Sequence, residues 1–182
     1  ISPCLVGSEM CIRDRLLTVQ LAASGSPSYT RTARNKTPVL YEGRESEIEI
    51  GKGVVLREGA DVAIVACGVM VSESLKAAEA LAAEGIEATV VDMHTLKPLD
   101  GDLIDQLVAN CGAIVTAEDH SVIGGLGGAV AEHLTSNHYA PLERVGVQDR
   151  FGESGQADEM LDVMQISAPY IGEAAKRAVA RK

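Results

Sequence analysis

Residues 61–93 read DVAIVACGVMVSESLKAAEALAAEGIEATVVDM, and their pattern decides the fold. Asp61 to Ala66 is a continuous apolar run rather than an alternating one. Such a run suits a strand covered on both faces, because no side of it is left to water. Ser72 to Ala83 follows with Leu75, Ala78, Leu81 and Ala82 at helical spacing, and Gly85 suits the left-handed residue that ends a helix. Ala88 to Met93 is a second buried strand. A strand, a helix and a strand in this order make a crossover unit, which is right-handed and leaves its two strands parallel.

The alternation continues downstream. Leu99 to Asn110 places Leu103, Ile104, Leu107 and Val108 on one helical face, and Ala113 to Ala117 is a third strand. Gly124 to Leu134 enters a helix, Leu142 to Val147 is a fourth strand, and Asp158 to Met164 and Pro169 to Ala180 are closing helices. The expected fold class is α/β: a three-layer α/β/α sandwich around a mostly parallel sheet. Upstream, Ile48 to Leu56 reads as a hairpin-like lead-in around Gly51 and Gly53. Leu16 to Ala23 suits the end of a helix, Ser24 to Ser28 a turn, and Tyr29 to Thr32 a short β-prone segment. Asn35 to Ser46 reads as a linker, and the domain proper occupies 47–182.

Residues 1–15, ISPCLVGSEMCIRDR, have neither period nor the charged-then-apolar order of a signal peptide. CLVGSEMCIRDR resembles a translated sequencing adapter, so this segment is expected to be foreign to the natural protein. The missing initiator Met points the same way, to a longer protein that has lost its N-terminal part.

Composition excludes several function classes. In 182 residues, Lys+Arg 16 against Asp+Glu 26 gives a net charge of -10, which repels nucleic acid and anionic membranes. Tryptophan is absent and Phe151 is the one phenylalanine, so stacking on bases is disfavoured. No stretch approaches the ~20 apolar residues of a membrane helix. Cys4, Cys11, Cys67 and Cys111 include no CxxC pair, and Cys67 and Cys111 sit in apolar segments. A reducing cytoplasm is expected, with neither a zinc site nor a disulfide framework.

Sites in parallel sheets form beyond the carboxyl ends of the strands. Here those ends are Cys67–Gly68, His94, Glu118 to Ser121 and Gln148 to Gly155. The densest polar cluster is Glu118-Asp119-His120-Ser121, read as a loop after the third strand, with Gly124, Gly125, Gly127 and Gly128 behind it. Glycines entering a helix can cradle an anion, or simply allow close packing against a sheet or an interface. The dinucleotide fingerprint fails, because counting from Gly125 its last glycine falls on Val130. Adjacent residues cannot converge as a triad, and no GxSxG elbow exists. His120 and His94 sit at strand ends, where each can meet a ligand or serve as an interface or turn residue. His133 and His138 are read as solvated, and the four histidines lack metal-ligand spacing. Arg31 and Arg34 lie three apart in a strand-like segment and point to opposite faces, one of them able to clamp a phosphate. Gln148 to Gly155 reads as a structured loop or the capping turn of the next helix.

Four strings occur in order: IGKGVVLREGADVAIVACG at 50–68, VVDMHTLKPLD at 90–100, AIVTAEDHSVIGGLGGAVAEHL at 113–134, and VGVQDRFGESG at 145–155. Together they resemble the C-terminal domain of transketolases, above all the C-terminal subunit of split bacterial and archaeal forms. The same domain closes deoxyxylulose-phosphate synthase and the β subunit of 2-oxoacid dehydrogenases. The resemblance runs from about Tyr29 to Lys182. It implies two-carbon ketol transfer between sugar phosphates with thiamine diphosphate and Mg2+, held by pyrophosphate- and pyrimidine-binding domains absent here. It makes 16–34 the end of the pyrimidine-binding domain. It implies a homodimer or heterotetramer in which this part packs the assembly and borders the substrate channel, inactive alone. It assigns substrate phosphate to Arg34 first and Arg31 second. In the synthase, an arginine follows the VDM-type strand, where this chain departs with His94. His120, Gly124, Gly125 and Gly127 become an interface or channel loop. Three other readings remain: one of the related thiamine enzymes, a free-standing interaction module, or a nucleotide-binding protein.

Overall fold

The computed structural model describes residues 9–32, 38, 40–137 and 139–182. Five strands form one sheet: β1 (Val54–Arg57), β2 (Val62–Ala66), β3 (Ala88–Asp92), β4 (Ile114–Ser121) and β5 (Leu142–Val147). Their order is β1-β3-β2-β4-β5. β2, β3, β4 and β5 run parallel, and β1 lies antiparallel on the edge beside β3. The helices are α1 (Glu9–Ser24), α2 (Met70–Ala83), α3 (Gly101–Cys111), α4 (Leu126–Asn137), α5 (Ala157–Val163) and α6 (Ala168–Val179).

Side chains of a strand alternate between faces, and here both faces are roofed. Val62, Ile64 and Ala66 pack with α2 and α6 through Ala78, Leu81, Ile171, Ala174 and Ala178. Ala63 and Val65 pack against α3 and α4 through Ile104, Leu107, Leu126 and Val130. All five residues of β2 are fully buried, which is why the run carries no polar alternation. The three-layer α/β/α sandwich expected from the sequence is therefore the fold. Gly85 takes φ 82 beyond α2, as its place in the sequence implies. Asp100 caps α3 by accepting from the Leu103 N–H at 3.3 Å.

Several local expectations need correction. Residues 48–56 form no hairpin: only Val54–Arg57 is a strand, and it pairs with β3. The segment before it is held elsewhere, because Ile48 joins Leu17, Tyr41 and Val54 in a small separate core. Tyr41 is thus buried within the stretch read as a linker. α1 begins at Glu9, inside the segment without apparent period. Residues 29–32 have no strand partner. β4 extends through Glu118–Ser121, which the sequence reading took as loop. Its pairing with β5 jumps from Ala117↔Val145 to Ser121↔Val147, so residues 118–120 bulge out of the ladder. Finally, His133 is not solvated. Its Nε2 lies 2.6 Å from Asp105 Oδ1, joining α4 to α3. His138 lies outside the described residues.

Candidate functional site

The registers bring three strand ends level. Ala66 pairs with both Asp92 and Ala117, so Cys67, Met93 and Glu118 leave the sheet side by side. This is the carboxyl end where the sequence places a site.

Glu118 is the centre of the arrangement. It is almost wholly buried. Its Oε2 accepts from the Leu126 N–H and its Oε1 from the Gly127 N–H, each at 2.8 Å. A carboxylate projecting from the β4 bulge therefore caps α4, satisfying two N–H groups that open the helix. Gly125 is what lets the carboxylate in: a Cβ there would lie 1.9 Å from Glu118 Oε2. Gly127 is equally constrained, since its Cβ would meet Thr116 Oγ1 and Arg144 Cδ at 2.9 Å. Gly124 turns the loop with φ 73.

The other candidates surround this cap. Arg31 donates from Nη2 to the Asp119 carbonyl at 2.8 Å, tying the N-terminal segment to the bulge. His120 is half exposed; its Nδ1 lies 2.8 Å from the Ser121 carbonyl and 4.0 Å from Glu118 Oε2. The carbonyl contact makes Nδ1 the donor. His94, one strand over, is mostly buried, with Nδ1 3.0 Å from Thr95 Oγ1. Its Nε2 is buried without a hydrogen-bond partner among the described residues. Burial lowers its pKa, the Arg13 charge lowers it further, and Asp92 partly opposes both. Arg34 lies outside the described residues.

Two further groups flank these: Asp92, which was not singled out from the sequence, and Cys67, which sits in an apolar segment as read there. Asp92 is fully buried at the end of β3. Its Oδ2 accepts from Arg13 Nη1 at 2.6 Å and from the Tyr41 hydroxyl at 2.5 Å. Cys67 has its thiol pushed up to about 12 by burial, with Glu118 and Asp92 adding to the effect. A thiol held so firmly protonated is a packing group rather than a nucleophile. The signal for Glu118 lay in its spacing, an acid at a strand end eight residues before a glycine-flanked helix start. The partners of Asp92 are 51 and 79 residues away in sequence, and no local pattern announces them.

Thiamine diphosphate and Mg2+ do not fit what is here. The glycine-rich helix start, the natural seat for a diphosphate, is already filled by the Glu118 carboxylate. Among the described residues no group of three His, Cys, Asp or Glu converges on a metal position. Likewise, no described helix is long and apolar enough to cross a membrane.

Comparison with known proteins places this arrangement. The chain is 45% identical over 163 residues to the 6-deoxy-6-sulfo-D-fructose transketolase subunit SqwH of Clostridium sp. (strain MSTE9), covering 90% of this chain and 50% of that protein. It is 46% identical over 143 residues to a putative transketolase C-terminal section from Methanocaldococcus jannaschii, covering 78% of this chain and 44% of that protein. A 1-deoxy-D-xylulose-5-phosphate synthase from Crocosphaera subtropica is 41% identical over 146 residues, 80% of this chain but 23% of the synthase. Among solved structures, a split-gene transketolase in an inactive beta4 tetramer superposes with TM-score 0.89 at 42% identity, over 93% of this chain and 55% of that one. The chain thus spans about half the length, or less, of these relatives. Residues 51–171 match the family described as Transketolase, C-terminal domain, and the chain belongs to that family.

Proposed function

We infer that this chain is the C-terminal part of a thiamine-diphosphate-dependent transketolase, which moves a two-carbon ketol unit between sugar phosphates. The observation that carries the reading is the superposition on a split-gene transketolase over 93% of the chain. In this reading the cofactor and Mg2+ belong to the pyrophosphate- and pyrimidine-binding domains, on the same polypeptide or a partner subunit. The occupied start of α4 supports that division, because the acidic cap leaves no seat for a diphosphate. The part in hand shapes a dimer or heterotetramer and borders the substrate channel. Arg34, Arg31 and His94 are the candidates for substrate phosphate; the bond from the Arg31 guanidinium to the Asp119 carbonyl at the β4 bulge supports the choice of Arg31. The loop of His120, Gly124, Gly125 and Gly127 is the interface or channel wall. Residues 16–34 end the pyrimidine-binding domain, 35–46 link, and 47–182 form the C-terminal domain. The free thiols of Cys67 and Cys111 support a cytoplasmic setting.

Calorimetric titration of residues 16–182 with thiamine diphosphate and Mg2+ tests the division. No heat of binding is expected, and tight binding overturns it. The identity with 1-deoxy-D-xylulose-5-phosphate synthases favours one second reading. Assay of the complete gene product with pentose phosphates against pyruvate plus an aldehyde phosphate separates the two.

A further inference from the structure

The end of β3 carries two polar groups that face the same way. The Met93 N–H still bonds the Ala66 carbonyl at 2.7 Å, so the chain stays extended past the last residue of the strand. Asp92 and His94, two apart, therefore share a face. Val91 and Met93 take the opposite face, packed towards α3 and α4. Each of the two polar groups has one buried atom that no described residue satisfies: Oδ1 of Asp92 and Nε2 of His94. Buried polar atoms are nearly always paired, so two orphans on one face point to a ligand.

The other atom of each group is what fixes it in place. Asp92 Oδ2 accepts from Arg13 Nη1 at 2.6 Å and from the Tyr41 hydroxyl at 2.5 Å, which pins the carboxylate and leaves Oδ1 over. His94 Nδ1 lies 3.0 Å from Thr95 Oγ1, which pins the ring and leaves Nε2 over. Asp92 is fully buried, so water screens its charge little. That charge reaches the ring: burial lowers the His94 pKa, Asp92 opposes the lowering, and Arg13 adds to it. Asp92 from β3 and Arg13 from α1 are the charges acting on the imidazole among the described residues.

A neutral ring is a poor anchor for an anion. With the hydrogen on Nδ1, Nε2 is an acceptor and repels a phosphate oxygen. A second proton, taken from solvent, makes Nε2 a charged donor whichever tautomer was present, and the cation then lies between Asp92 and the incoming anion. We propose that Asp92 is a positioning residue for substrate binding: its buried carboxylate readies the His94 ring to carry a positive charge and donate from Nε2 to the phosphate of the sugar substrate. This rests on the reading that the complete protein acts on sugar phosphates.

NMR titration of the His94 ring in the 182-residue chain tests the pairing directly. D92N should lower the His94 midpoint, and D92E, which keeps the charge, should leave it close to the parent's. D92N in the R13M background, compared with R13M, repeats the measurement without stranding the guanidinium. An unchanged midpoint in both backgrounds overturns the proposal. In the complete gene product, D92N should raise KM for the phosphate substrate about fivefold at pH 7, the difference between a charged and a neutral hydrogen bond, with little change in kcat. The rise of KM with pH should move to lower pH in D92N, and D92E should restore it. H94R is charged at every pH and supplies the baseline set by the substrate's own phosphate titration. Adding D92N to H94R should change KM less than about twofold. An equal penalty in the H94R background overturns the proposal, since Asp92 is then merely structural. So does a lowered midpoint with KM unchanged, since a bound water then satisfies the two orphans. Ketol transfer and condensation of pyruvate with an aldehyde phosphate are both assayed. Loss of the first alone refutes the transketolase reading, while the D92N comparison still runs on the second.

Discussion

Gly125→Ala should be among the most damaging single-methyl additions this fold can receive, although Gly125 has an ordinary φ. The three nearest atoms to a Cβ at 125 all belong to Glu118: Oε2 at 1.9 Å, Cδ at 2.7 Å and Oε1 at 3.1 Å. The carboxylate must leave, and the Leu126 and Gly127 N–H groups lose their acceptor together. A buried donor left unpaired costs about 1–3 kcal/mol, so the loss of two should cost about 2–6 kcal/mol. For a chain of this size that lowers the melting temperature by roughly 2–4 °C per kcal/mol. Glu118→Ala should cost a similar amount by removing the same cap. The decisive variant is the double one. With the carboxylate already gone, the added methyl has nothing to strike, so G125A should be nearly neutral in the E118A background. Urea denaturation of the four proteins measures the coupling, expected to equal the single-mutant cost of G125A, about 2–6 kcal/mol. Costs that add to within ~0.5 kcal/mol would refute the claim that Gly125 exists to admit Glu118. Gly128→Ala is the internal control; with open space at its Cβ it should stabilise the isolated chain by about 0.5–1 kcal/mol.

The remaining predictions concern the buried groups beside that cap. His94 has a folded-state pKa below the ordinary value of about 6.5, so the unfolded chain binds its proton first on acidification. Its contribution to stability is present above that pH and is lost as pH falls through and below it. Denaturation midpoints at pH 5.5–7.5 should therefore slope less in His94→Gln than in the parent; identical slopes contradict the assignment. Cys67, with its thiol near 12, should alkylate at pH 8 about 10³-fold more slowly than a free cysteine, as mass spectrometry of iodoacetamide-treated protein would report. Arg13→Met leaves the Asp92 carboxylate buried with the Tyr41 hydroxyl as its sole described donor, at a cost of about 3–5 kcal/mol. Asp92→Asn in that background should restore part of the loss, and a more stable R13M protein would count against a buried ion pair.

The fold was legible because the crossover strands are buried on both faces. β2 and β3 are buried runs of the length a strand needs, and α6 repeats its buried Ile171, Ala174, Ala175 and Ala178 at helical spacing. What misled was chemistry that depends on distant partners. Glu118 to His120 look like loop because they are polar, yet one is drawn inward to cap a helix while the strand bulges around it. Tyr41 looks like linker because its neighbours are polar, yet its ring joins a core whose other members are 24 residues upstream at Leu17 and seven downstream at Ile48. His133 looks solvated until α3 is packed beside α4. The site was legible as a location and not as a set of roles. The carboxyl end follows from strand direction alone, whereas the role of each acid depends on which N–H or cation reaches it.

Those roles bear on how this end of the sheet would meet an anion. An open parallel sheet offers an anion the N–H groups of the helix that follows a strand. Here the second half of the sheet has answered that field from within, through Glu118. Asp92 is likewise spent on Arg13 and Tyr41, and the Asp119 carbonyl on Arg31. Glu118 is thus occupied by two N–H groups and Asp92 Oδ2 by a guanidinium and a hydroxyl. The guanidinium at this rim, that of Arg31, comes from the segment upstream of the domain. An anionic substrate meeting this surface would thus be held by the Arg31 guanidinium, beside a wall whose Glu118 carboxylate is taken up by the start of α4. Neutralising Glu118 would loosen the wall, whereas removing Arg31 would remove an attraction. With ketol transfer as the proposed activity of the complete protein, E118Q should lower its thermal stability at little cost in KM, while R31A should raise KM and leave the melting temperature nearly unchanged. The reverse pattern would mean that the acid, and not the arginine, faces the substrate.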